Sequence, residues 1–300
     1  MRLNAHPQVA CFNETHYLPL LLERFGADPA PTGTIFDMID SLRFHTGERI
    51  LQSNFAQIPI TTEAWSDWRF ALSAAHREMT VAAFQQAFEA FVCEQSGAKV
   101  VVDKTPCYGA YLPLLERHLG PTPTINLIRD AQPSVVSMLR HPGFLCKIRR
   151  GVRTWTEILG YHTITDSDVM HGVQIGEVRK MARLWIWRTM TPIHDAKTLD
   201  SPFLTLRFED LLADPETFFR TLARFLDIDE DETWIADCAK AVNHDRGAPT
   251  RITELAGKSG KRKLSKRIKD VLRGRHRETT DKVPHYPEVA EARRALGYIK

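Results

Sequence analysis

The stretch INLIRDAQPSVVSMLR, residues 125–140, gathers groups suited to holding an anion. Its apolar start reads as a buried strand that delivers Arg129 and Asp130 at the carboxyl end. A helix begins near Pro133, and Ser137 falls about one turn inside it. A guanidinium, a hydroxyl and the free N–H groups of a helix N-terminus all favour negative charge. Taken alone, Arg-Asp at a strand end is more often a structural ion pair; the eight-residue step from Arg129 to Ser137 shifts the reading toward the anion site. Two further charges stand at comparable places. Lys104 follows the apolar run KVVVD (99–103) and precedes Thr105-Pro106, where the proline disfavours helix and keeps the turn open. Glu14 sits between VACF and a helical pattern, where the helix dipole alone would welcome a carboxylate.

The elements that must position these residues follow from periodicity. KVVVD (99–103) and PTPTINLIRD (121–130) read as buried strands, and SPFLTLRFEDLL (201–212) as a third running into a helical turn. Helical patterns cover 15–25, 79–95, 108–120, 132–141 and 177–197. DPETFFRTLARFLDI (214–228) is an amphipathic helix capped by Asp214. Strands alternating with helices predict an α/β fold of three layers around a mostly parallel sheet. Right-handed crossovers then put the loops after the strands on one edge, where such sheets bind ligands. The Trp-rich helix ARLWIWRTM is read as core packing.

Composition sets the outer limits. An apolar share of 43% and a charged share of 26% over 300 residues belong to a globular chain rather than a disordered one. No apolar run approaches the roughly 18–20 residues of a membrane span, and the N-terminus has no signal-peptide pattern. Five scattered cysteines in an odd number read as reduced thiols of a cytoplasmic protein. His6, His16, His141 and His194 make no metal set, so no metal is expected. The net charge of +3 is unevenly spread: between Lys258 and Arg277 ten Lys/Arg stand against Asp270 alone. That block reads as a solvated tail, a contact to nucleotide or acidic substrate, or a polyanion site. It lacks the aromatics that base stacking needs, so nucleic acid is not indicated. The organisation expected is an α/β domain over 1–245 and a basic segment over 246–300 that packs on it or extends it.

Four segments in order resemble the sulfotransferases that use 3′-phosphoadenosine-5′-phosphosulfate (PAPS). INLIRDAQPSVVSML is similar to their 3′-phosphate-binding segment, NAHPQVACFNETHYL to the region after the phosphate loop in bacterial and tyrosylprotein members, VVDKTPCY to their strand followed by Lys-Thr-Pro, and LTLRFEDLLADPETFFRTLARFLDI to their Arg-Tyr-Glu-Asp-Leu stretch, with Phe208 for the commoner tyrosine. The resemblance runs from about residue 4 to 228. It implies a fold of the P-loop NTPase type, with PAPS as co-substrate and no metal. Arg129 and Ser137 would hold the 3′-phosphate, Glu14 would be the catalytic base, and Lys104 would balance charge on the transferring group. Arg207 and Glu209 are read as anchors of the last strand.

In that family a first strand and a phosphate loop of the type P-x-S-G-T-T precede the segment equivalent to NAHP. Here only Met1, Arg2 and Leu3 precede Asn4. The first strand and loop are therefore expected to be missing as written, which would leave two neighbouring strands with unpaired edges. A start within the gene is the preferred explanation, ahead of a trimmed chain or a genuine remnant. The expected function is sulfuryl transfer from PAPS to a hydroxyl or amine, with activity in doubt for lack of the loop. The alternative is a non-catalytic nucleotide- or polyanion-binding remnant. A P-loop kinase is the weaker rival, since no GxxxxGK[ST] is present. Carbohydrate, lipid, peptide or small-metabolite acceptors all fit, and the oligomeric state is open.

Overall fold

The stretch VACF is buried on both sides of its backbone, which only a strand covered on two faces achieves. In the computed structural model, which describes residues 2–43, 48–55, 57–141, 144–145, 148–149, 175–245 and 283–299, it forms β1 (Val9–Asn13). Ala10 and Phe12 face an aromatic cluster in which Trp65, Phe36, Phe84 and Phe88 interlock. That layer comes from α1 (Tyr17–Phe25), α2 (Thr32–Ser41), α3 (Ile50–Phe55), α4 (Thr62–Ala75) and α5 (Val81–Ser96). β2 (Ala30–Pro31) and β3 (Glu78–Met79) join antiparallel within it. Thr61 and Thr80 cap α4 and α5, and Gly97, at φ 71°, closes α5 in a left-handed turn.

Val9 and Cys11 face the other way, against Phe218, Phe219, Trp234 and Ile235. These come from α10 (Pro215–Phe225), whose N-cap Asp214 accepts from the Thr217 N–H, and from α11 (Glu232–Asp245). β1 pairs in parallel with β4 (Val100–Lys104), placing Asn13 opposite Lys104. β5 (Thr124–Ile128) pairs in parallel with β6 (Phe203–Arg207). The fold is α/β, with helices on both faces of parallel strands.

One feature differs from a single continuous sheet. Among the described residues the two parallel pairs share no backbone ladder. What joins them is the third hydrophobic cluster, where Val9, Cys11, Val100 and Val102 meet Ile125, Leu204 and Leu206 on the same α10–α11 floor. Among the described residues side-chain burial, rather than a shared strand ladder, bridges the two pairs. Leu127, the penultimate residue of β5, is 53% exposed, an unusual place for a large apolar strand residue.

Three further helices gather beyond the carboxyl end of β5, where Trp185 and Arg293 reach Arg129 and Asp130. α7 (Ala131–Arg140), α8 (Ile175–Asp195) and α12 (Pro287–Ala295) bury Val135, Leu139, Met181, Trp185 and Val289 in the second cluster. α9 (Phe208–Ala213) extends β6, and α6 (Leu112–Leu119) ends at Gly120. The helix expected over 108–120 is thus split: a short 3₁₀ turn, Pro106–Ala110, precedes α6. Gly109 lies so close to Pro192 of α8 that a Cβ there would come within 2.7 Å of the proline ring. The basic block 257–277 lies outside the described residues.

Candidate active site

Parallel pairing of β1 and β4 brings two carboxyl ends side by side, and the chain beyond each is fastened to the other. The Glu14 N–H donates to the Lys104 carbonyl at 2.9 Å. Lys104 Nζ reaches Glu14 Oε1 at 3.2 Å and Asn13 Oδ1 at 3.0 Å. The side chains of Glu14 and Lys104 are 37% and 43% exposed, so the pair contributes at most about 1 kcal/mol to folding. A weak, solvent-facing ion pair at two strand ends is available for chemistry in a way that a buried one is not. Glu14 is not a helix-terminal carboxylate: it lies in the bend before α1, whose N-cap is His16. His16 Nε2 stands 3.9 Å from Glu14 Oε2, and its Nδ1 is 3.3 Å from Cys107 Sγ.

Beneath the pair, Asp103 accepts hydrogen bonds from Thr15, from Thr105 Oγ1 at 2.5 Å and from the Tyr108 hydroxyl at 3.0 Å. The residue keeps some exposed surface, yet its carboxyl lies deep enough that burial pushes its pKa above the ordinary value, against the three hydroxyls, which pull it down. Burial, with the Asp103 charge added, drives the Tyr108 hydroxyl well above the usual tyrosine range. Burial also pushes the Cys11 thiol up to about 12, which leaves it an inert core residue.

The other two expected site residues stand at the end of β5. Arg129 and Ser137 are both exposed. The Arg129 guanidinium lies 4.7 Å over the Phe208 ring, and its carbonyl accepts from Trp185 Nε1 at 3.0 Å. Among the described residues no hydrogen bond or ion pair links Arg129 or Ser137 to Glu14 or Lys104. The structure thus joins Glu14 with Lys104 directly and leaves Arg129 and Ser137 on a separate strand–helix unit.

Two details of that unit depart from the sequence reading. α7 starts at Ala131, not near Pro133, so Ser137 is in its second turn and Ser134 is the first-turn hydroxyl, 3.3 Å from the Arg129 carbonyl. Nor is the helix N-terminus free. Asp130 caps it through the Ala131 N–H, and Pro133 has no N–H to offer. Asp130 is in turn held by a two-pronged Arg293 at 2.8 and 2.9 Å. An anion here would rely on the Arg129 and Ser137 side chains.

Arg293 and Tyr298 escaped the sequence reading, whereas Glu209 was expected as an anchor of the last strand. Arg293, Tyr298 and Glu209 converge on the β5 end: Glu209 accepts from the Asp130 N–H at 3.0 Å and from the Tyr298 hydroxyl at 3.1 Å. Arg207 lies 4.1 Å over the Tyr298 ring. Arg207 and Glu209 therefore fasten the C-terminal segment to the last strand. Sequence separations of up to 163 residues hide such contacts from any local pattern. Asp103 was findable, as a lone acid closing a buried apolar strand beside two threonine-bearing turns. Among the described residues no three His, Cys, Asp or Glu converge as a metal site, and no helix is long and apolar enough to cross a membrane.

Comparison with known proteins supplies the remaining fact. A model described as the sulfotransferase family matches residues 2–232. Among solved structures, a sulfotransferase domain from the curacin biosynthetic pathway is similar at a TM-score of 0.53 and 16% identity, covering 99% of this chain and 92% of that one. At that identity the likeness concerns the fold. No curated protein matches.

Proposed function

The chain belongs to the sulfotransferase family, and on that premise we propose that it moves a sulfuryl group from PAPS to a hydroxyl or amine acceptor by in-line displacement. The observation that carries this reading is the half-exposed Glu14–Lys104 pair, 3.2 Å apart at the carboxyl ends of two parallel strands. Glu14 takes the proton of the acceptor as the new bond to sulfur forms. Lys104, freed from Glu14 by the incoming charge, balances the oxygen left on the phosphate as the old bond breaks. The products are a sulfated acceptor and adenosine 3′,5′-bisphosphate.

Arg129 and Ser137 hold the 3′-phosphate in this reading. Their fit rests on availability: both are exposed, and among the described residues the Arg129 guanidinium makes no hydrogen bond or ion pair, only its stacking on Phe208. Phe208 fixes the guanidinium plane while leaving its donors open. The acceptor is a small molecule, carbohydrate, lipid or peptide in a cytoplasmic setting.

Two measurements test this. Isotope from ³⁵S-labelled PAPS should appear in a member of an acceptor panel. Arg129→Ala should weaken binding of adenosine 3′,5′-bisphosphate about 10- to 100-fold, the worth of charge-assisted hydrogen bonds, with unfolding unchanged. Binding without transfer to any acceptor would favour a non-catalytic nucleotide-binding role. Absence of both contradicts the proposal.

A further inference from the structure

The Glu14–Lys104 pair stands on a network that its own charges do not require. In register, Asp103 lies opposite Phe12, one residue short of the pair. Its Oδ2 accepts from Thr15 and from Tyr108, and its Oδ1 accepts from Thr105. Each hydroxyl belongs to a residue that controls one of the two loops. Thr15 follows Glu14, and Thr105 follows Lys104. While donating to Asp103, Thr105 Oγ1 also accepts the Thr15 N–H at 3.0 Å. The Tyr108 hydroxyl lies 3.0 Å from Thr15 Oγ1 and 3.4 Å from the Leu18 N–H at the start of α1. One carboxylate therefore ties the β1–α1 bend to the turn after β4.

That bend needs tying. Glu14 (φ 55°) and His16 (φ 60°) are both left-handed, on either side of Thr15. Non-glycine residues hold such angles only where the surroundings impose them. Here the Glu14 N–H bond to Lys104 and the Thr15 contacts to Thr105 and Asp103 do so. The chemistry also explains why the anchor is an acid. Three hydroxyls donating to one side chain need an acceptor with several lone pairs and no hydrogen of its own, which an ionised carboxylate provides and an amide does not.

We infer that Asp103 is a positioning residue for the transfer reaction: through Thr15 and Thr105 it holds the two loops in the bends that aim Glu14 and Lys104 at one point. The inference rests on reading Glu14 as the base and Lys104 as the charge-balancing group. Asp103 touches neither side chain and acts only through the hydroxyls between them.

The test combines amide hydrogen exchange with kinetics on the full chain. In Asp103→Asn and in Thr15→Val, the Glu14 and Thr15 amides should exchange at least about tenfold faster while the amides of Val9–Phe12 keep their protection, the mark of local release. Thr15→Ser, which keeps the hydroxyl, should restore slow exchange. With PAPS, Asp103→Asn should lower kcat about 10-fold or more and leave the nucleotide KM within about twofold. In a Glu14→Gln background it should cost clearly less than in the wild type, because the part that acts through Glu14 is already lost. Unchanged exchange at Glu14 and Thr15 overturns the inference. So does loss of protection throughout β1, which would mark a general structural role, or a kcat loss that adds fully to that of Glu14→Gln. Should Asp103→Asn fail to fold, the Thr15 pair of variants carries the same test. A wild-type protein that transfers no sulfuryl group defeats the reading of the reaction, while exchange still decides whether Asp103 holds the bend.

Discussion

The two ends of the strand array are built in opposite ways. At the β1–β4 end, the acid Asp103 is satisfied by neutral hydroxyls, and the charges that face solvent, Glu14 and Lys104, pair with each other beside Asn13 and His16. At the β5–β6 end the acid, Asp130, is consumed by Arg293 from a helix 163 residues away, and Glu209 is taken up by the backbone and Tyr298. The first arrangement spends hydroxyls to keep a charged pair loose and exposed. The second closes its carboxylates into a lock on the C-terminal segment and leaves one cation, Arg129, stacked but open. Where chemistry is wanted the charges are cheap to separate; where architecture is wanted they are not.

Breaking the lock should have the largest effect on stability. Arg293 and Asp130 are 16% and 21% exposed, so Arg293→Met strands a mostly desolvated carboxylate. An expected loss of about 2–3 kcal/mol, somewhat below that of a fully buried pair, would show in urea unfolding. An unchanged midpoint would mean that α12 is held without this pair, by its apolar contacts and by Arg179 on Glu288. Next comes Gly109→Ala. Its Cβ would press on Pro192, 2.7 Å away, and push the turn that carries Tyr108. Overpacking of this kind costs about 1–2 kcal/mol, and the Thr15 amide should lose exchange protection with it. Glu14→Gly is the reverse case. It removes a solvent-exposed ion pair but relaxes a left-handed backbone, so stability should hold or rise by up to about 1 kcal/mol. A clear loss would show that the Glu14 side chain is structural.

The smallest effects distinguish the regions by pH. Arg179 holds the Glu288 carboxyl down at about 2 where α8 meets α12. The unfolded state binds that proton more readily, so the stability it contributes is present above the ordinary glutamate value and is lost as pH falls toward 2. Asp103 has the opposite sign. Burial raises its pKa in the folded state, so its stabilising contribution is complete below the ordinary aspartate value and is lost as pH rises through the folded one. Urea midpoints against pH should therefore flatten on the acid side in Glu288→Gln, and above the ordinary aspartate value in Asp103→Asn. The same slope change in both variants would contradict the assignment.

How much of this was legible depended on how local each cause was. Apolar runs such as KVVVD and TINLI show their strands, although the expected full burial is not reached: both are largely half-buried and Leu127 is exposed. Asp214 shows its helix cap just as locally. Glu14 and Lys104 were nameable one by one, but their meeting depends on the parallel register of β1 on β4, which no spacing encodes. The start of α7 was misplaced by two residues because Asp130, read as lying at the strand end, is the helix cap, and its ionic partner is Arg293. The division of the strands into two pairs joined by side chains was invisible as well, since a buried strand reads alike with one neighbour or two. The role of Asp103 was hidden because its link to Thr15 spans 88 residues of sequence.

Glu14→Gln offers the most direct test of the central claim. With ³⁵S-labelled PAPS and an acceptor that the wild type uses, the variant should lose about 10²- to 10⁴-fold in kcat, the range set by a general base. Its urea midpoint and its affinity for adenosine 3′,5′-bisphosphate should stay at wild-type values. Wild-type turnover in Glu14→Gln would contradict the account, because the exposed pair at the β1–β4 end would then have no part in the reaction.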